Sequence, residues 1–116
     1  MDKKLEIAVK ALDSKKAINI EVKKVDAVTV LADYFVIANG TSNTHVRALA
    51  DEVEFKLKEA GFEPRGIEGV SADWILLDYG DIIIHVFLPD AREHYNLEKL
   101  WLDAETVDIG SIIEKD

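Results

Sequence analysis

Apolar positions near the start of the chain recur at helical spacing: Leu5, Ala8, Val9 and Leu12 follow the i, i+3, i+4, i+7 pattern of one buried stripe. The pattern predicts a helix over Lys3–Lys15, with Asp2 placed to cap its first turn. Ile18, Ile20 and Val22 then alternate with Asn19, Glu21 and Lys23, the period-two signature of a half-exposed strand. Beyond an irregular stretch, Tyr34-Phe35-Val36-Ile37-Ala38 is almost continuously apolar, which predicts a strand buried on both faces. Gly40-Thr41-Ser42-Asn43 ends it and opens a second helix, capped by Ser42 or Asn43. Its stripe is Val46, Leu49, Ala50, Val53, Leu57 and Ala60, and Gly61 supplies the stop.

The second half of the chain reads mostly as strand. Pro64–Gly69 is a connector or a short edge strand, and two strong strands follow at Trp74–Asp78 and Asp81–Phe87. With Tyr79-Gly80 as a two-residue turn, Trp74 faces His85, Leu76 faces Ile83 and Asp78 faces Asp81 on one side of the hairpin. Ile75, Leu77, Ile82, Ile84 and Val86 then share the other side, which is purely aliphatic and must be core. A slip of one residue would exchange the two sides. Asp90 and Glu93 have capping-box spacing and open a short helix to about Tyr95, with another helical turn over Leu97–Trp101. Residues 1–102 make one continuous domain and 103–116 a mobile tail. The element order predicts an α/β (α+β) fold, a single mixed β-sheet with packed helices.

Charge then narrows the partners. The net charge is −9, yet residues 1–24 carry seven basic and four acidic side chains, so the rest of the chain holds a net −12. A nucleic-acid interface needs a basic stripe, and Lys3, Lys4, Lys10, Lys15 and Lys16 read more simply as the solvated face of the first helix. Direct nucleic-acid contact is expected to be minor or absent, and an acidic body favours a basic protein partner. No apolar run is long enough to span a membrane. No signal peptide is visible, and the chain has no cysteine, so a cytoplasmic setting is expected.

Catalytic constellations are thin. Ser42, His45 and Asp51 lie on or beside one helix start, where Ser42 serves better as a cap than as a nucleophile. His85, His94 and Asp81 lack metal-ligand spacing, and no Gly-rich phosphate loop occurs, so no metal and no cofactor is expected. Gly40-Thr41-Ser42, between a buried strand and a helix, echoes the phosphate-binding turn of nucleotidyltransferases. Those enzymes hold their metal ions with an Asp-x-Asp pair, which this chain does not contain.

The mixed side of the hairpin is the remaining candidate. Trp74 beside His85, Leu76 and Ile83 is either a second core layer or a partner-binding patch, because Trp and Tyr anchors near acids are hot-spot chemistry. Asp78 and Asp81 at the hairpin tip repel each other unless a cation sits between them, supplied by a basic partner or by Arg92, with Tyr79 as an apolar anchor.

Three segments carry a family resemblance. Ala32-Asp33-Tyr34-Phe35-Val36-Ile37-Ala38-Asn39-Gly40-Thr41-Ser42 resembles the tDyfVIatGtS segment of the ribosomal silencing factor (RsfS, Iojap-like) family. Glu68-Gly69, then Ala72-Asp73-Trp74-Ile75-Leu76-Leu77-Asp78-Tyr79-Gly80-Asp81 and His85-Val86-Phe87, resemble its most characteristic block. Arg92-Glu93-His94-Tyr95-Asn96-Leu97-Glu98-Lys99-Leu100-Trp101 resembles its R-x-x-Y-x-L-E-x-L-W ending. The resemblance spans about Leu5 to Asp108 and implies a nucleotidyltransferase-like fold lacking the catalytic carboxylates. It also implies binding to the large ribosomal subunit through ribosomal protein L-fourteen, a steric block on subunit joining, and translation repressed under nutrient limitation. It shifts Trp74 toward the partner patch. Arg92 and Tyr95 of the ending join Trp74, Leu76, Asp78, Tyr79, Asp81, Ile83 and His85 as candidate contacts, on a surface that could hold a second copy when the partner is absent. The alternative is a residual nucleotide-binding or nucleotidyl-transfer enzyme built on Ser42 and the second helix.

Overall fold

The computed structural model describes residues 2–26, 32–71, 73–94 and 103–113. Helix α1 (Lys3–Ser14) starts where Asp2 accepts the Lys4 backbone N–H at 2.8 Å, and it buries Leu5, Ala8, Val9 and Leu12 completely. Strand β1 (Ile18–Lys24) follows, then β2 (Tyr34–Asn39), whose residues are buried from Phe35 onward as its unbroken apolar run requires. Helix α2 (Asn43–Glu59) is capped by Ser42, whose hydroxyl accepts the His45 N–H at 3.0 Å; this decides between the two expected caps.

Strands β3 (Gly66–Ser71), β4 (Trp74–Asp78) and β5 (Ile82–Phe87) come next, then helix α3 (Pro89–His94) and strand β6 (Glu105–Val107). They form one six-stranded sheet in the order β3-β4-β5-β2-β1-β6. Among the described strands only β2 and β5 run parallel, and the other pairs are antiparallel. The expected mixed sheet with packed helices is what the structure holds. Helices α1 and α2 cover one face over Val36, Ala38, Ile75, Leu77, Ile82, Ile84 and Val86, all buried. On the other face Phe35, Ile37 and Phe87 pack with Ala91 of α3, and Trp74 and Ile83 lie partly exposed against them.

Of the two readings of the stretch from Pro64, the edge strand holds: β3 lies at the sheet edge and pairs with β4. Other expectations need correction. Helix α3 begins at Pro89, whose fixed φ and missing N–H suit a first helical position, so Asp90 sits inside the first turn and is not its cap. The expected mobile tail is partly structured: β6 pairs with β1, and Ile109 is buried in the core under the helices. The polar alternation of Glu105-Thr106-Val107 is too short to read as a strand without knowing its neighbour. The helical turn expected over Leu97–Trp101 lies outside the described residues.

Gly40 has a packing reason. A Cβ there would stand 2.9 Å from both the backbone nitrogen and Cγ2 of Val46, so strand β2 meets α2 only because no side chain intervenes. Gly40→Ala should therefore cost about 2 kcal/mol, read as a melting temperature lower by roughly 5–10 °C. An unchanged melting curve would mean that the junction yields freely.

Candidate functional site

The β4–β5 hairpin positions most of the candidate residues, and its register differs from the expected one. Trp74 pairs with Phe87, Leu76 with His85 and Asp78 with Ile83, two residues away from the pairing that a Tyr79-Gly80 turn would produce. The Tyr79 N–H donates to the Ile82 carbonyl at 2.9 Å, so the turn residues are Gly80 and Asp81. Gly80 takes φ +87° and Asp81 is not among the residues with positive φ, the pattern of a type II′ hairpin turn with glycine first. A shift of two keeps every side chain on its face, so Trp74, Leu76, Asp78, Ile83 and His85 still share one side. Tyr79 does not join them. It extends the aliphatic row and is buried in the core, where burial, then Glu54 and Glu63, push its phenol up to about 12.

The tip acids are already occupied. Asp78 accepts the Gly80 N–H at 2.8 Å, an Asx-type closure of the turn. Asp81 is paired at 2.8 Å with Lys4, which also lies 5.4 Å from the Phe62 ring centroid. Lys4 belongs to α1, 77 residues before its partner, a distance at which the sequence carries no signal. Arg92, expected as a possible neighbour of the tip acids, instead donates to Glu21 at 3.1 Å and ties α3 to β1. Tyr95 lies outside the described residues.

What remains together is an apolar face with a buried histidine at its centre. Trp74, Leu76 and Ile83 are partly exposed, flanked by Glu68 of β3, which pairs with Leu76. Beneath and beside them are Phe35, Ile37 and Phe87, which the hairpin pattern alone did not place here; the parallel β2–β5 register brings them in. His85 is 3% exposed and meets Phe35 edge to face at 4.9 Å. The Trp74 indole N–H donates to His85 Nδ1 at 3.4 Å. An indole nitrogen only donates, so Nδ1 accepts and the neutral ring carries its proton on Nε2. Burial pushes His85 down to about 4, which keeps it uncharged at neutral pH.

Several polar atoms of the turn before α2 are engaged within the chain. Gly40 N–H donates to the Phe87 carbonyl at 3.0 Å and Thr41 N–H to His45 Nδ1 at 2.9 Å. His45 Nε2 lies 2.8 Å from the Lys15 carbonyl, and Ser42 Oγ meets the backbone of His45, not its ring. Among the described residues no group of three or more His, Asp or Glu is arranged to hold a metal. A mainly apolar cleft of about 370 Å³ lies between the helices, lined by Ile7, Lys10, Ala11, Ser14 and Lys56, on the covered side of the sheet.

Comparison with known proteins places the chain in a family. A family model described as "Ribosomal silencing factor during starvation" matches residues 1–116. The chain belongs to the RsfS family. Proteins named Ribosomal silencing factor RsfS from Halalkalibacterium halodurans and Bacillus subtilis are each 42% identical to it, covering 94% and 90% of both chains respectively. A crystal structure from Chromobacterium violaceum superposes with a TM-score of 0.81 at 39% identity, over 87% of each chain. One from Bacillus halodurans gives 0.78 at 40% identity, over 90% of this chain and 95% of that one.

Asp81→Asn should lower stability by roughly 1 kcal/mol or less, while removing the exposed Glu6–Lys10 pair should change nothing measurable. Equal effects in denaturant titrations would remove any special role for Lys4. His85 protonates in the unfolded chain near its ordinary 6.5 but resists doing so when folded. Its contribution is therefore intact above 6.5 and is lost as pH falls toward 4. Wild type should lose about 2 kcal/mol more than His85→Leu between pH 7.5 and 5; parallel stability–pH curves would contradict this.

Proposed function

We propose that this chain silences ribosomes by occupying space, without chemistry. In this reading the face carrying Trp74, Leu76 and Ile83 seats on the large ribosomal subunit at ribosomal protein L-fourteen. The remainder of the protein then stands where the small subunit would join. One observation carries it: a partly exposed apolar row lies over a buried layer of Phe35, Ile37, His85 and Phe87, in a chain whose net charge is −9. Family membership and relatives named as ribosomal silencing factors support a ribosomal target. The acidic body favours a basic protein over phosphate-lined RNA as the immediate contact. An interface of ordinary size, on the order of 800 Å² per partner, is enough for exclusion. When no ribosome is present, the same face would hold a second copy of the chain.

The enzyme alternative gains no support from the described residues. Thr41 N–H and Ser42 Oγ are engaged by His45, and Gly40 is explained by its approach to Val46.

Sedimentation with purified subunits tests the proposal. The chain should travel with large subunits at micromolar concentration and reduce the yield of joined ribosomes when small subunits are added. A chain that stays free, or that travels with large subunits yet leaves joining unaffected, contradicts it. Trp74→Ala should weaken binding roughly thirtyfold, the effect of losing a central aromatic anchor. A variant that melts far earlier but binds normally when folded would assign Trp74 to the core instead.

A further inference from the structure

We propose that His85 is a positioning residue for docking: its Nδ1 holds the Trp74 indole by the N–H, so that the ring offers only hydrocarbon to the partner. The inference rests on the docking face above and adds the chemistry of what meets it, an apolar pocket that supplies no hydrogen-bond acceptor.

The contact is diagonal across the hairpin. Trp74 lies opposite Phe87, and His85 lies opposite Leu76, so the indole must lean along the sheet to reach the imidazole. It does so with ring centroids 6.1 Å apart and the planes tilted by 32°. The imidazole is itself fixed. It is flanked across the sheet by Leu76 and Ile37 and meets Phe35 edge to face. Trp74, by contrast, is partly exposed, and a large half-exposed ring without a tether samples several rotamers. An inward N–H removes the one polar group of the indole from the outer surface. At 3.4 Å the bond is long, so it aims the ring more than it strengthens the fold. A protonated His85 could not accept this bond, and burial keeps the ring neutral.

Two substitutions separate aiming from packing. His85→Asn places an acceptor near the position of Nδ1 but removes ring volume; His85→Leu keeps volume and removes the acceptor. In full-length protein, the Trp74 indole N–H resonance, told apart from that of Trp101 with a Trp101→Phe spectrum, should move in His85→Leu and stay near its wild-type position in His85→Asn. Affinity for large subunits should fall about two- to tenfold in His85→Leu, the equivalent of one net hydrogen bond. It should remain closer to wild type in His85→Asn, even if that variant melts earlier. Wild-type affinity in His85→Leu, or a loss confined to His85→Asn, overturns the positioning role. If Trp74→Ala also binds at wild-type strength in the same assay, the docking face itself is overturned and not merely its tether.

Discussion

The parallel pairing of β2 with β5 is the constraint on which the rest of the structure hangs. It sets two apolar strands side by side at the centre of the sheet, with Val36 beside Ile84 and Ala38 beside Val86 toward the helices. The same register puts Phe35 beside Ile83 and Ile37 beside His85 toward the opposite face. Central strands of this kind are apolar on both sides because neither can be left to water. Two amphipathic helices seal the first face. On the second, the described cover is α3 together with Ala104, and the hairpin rows beyond it stay partly exposed. A partly exposed apolar face of this kind is the feature on which the proposed docking rests.

Much of this was legible from periodicity. Each helix stripe identified its buried face, because the core demands every third or fourth residue and tolerates no polar group there. The aliphatic side of the hairpin was legible for a similar reason: side-chain direction depends only on parity, so a pairing wrong by two residues still puts Ile75 and Ile84 inside. Tyr79 shows where that protection stops. Treated as a turn residue it belonged to neither face; moved one place into the strand, it becomes core. The glycine that enables the turn was visible, but whether it stands first or second in the turn is a matter of φ, which composition does not reveal.

Contacts between distant segments were not legible. Nothing near Asp81 in sequence announces Lys4, nothing near Arg92 announces Glu21, and the short polar β6 becomes a strand only because β1 offers it an edge. These contacts change the character of the hairpin tip. Its two carboxylates, which looked like charges awaiting a basic partner, are engaged within the chain by Gly80 and Lys4. The proposed contact therefore rests not on the tip but on the flat of the sheet, where Trp74, Leu76 and Ile83 lie over a neutral histidine.

That shift makes the central claim a statement about one face, and photo-crosslinking addresses it directly. A photoreactive side chain introduced at Leu76, on the exposed face, is compared with one at Phe55, which is 54% exposed on the helical side. Both proteins are irradiated with purified large subunits. A crosslink to a protein of the large subunit from position 76, with none from position 55, is the result expected of docking through the sheet. Crosslinks from position 55 alone would place the ribosome on the helices and contradict the account.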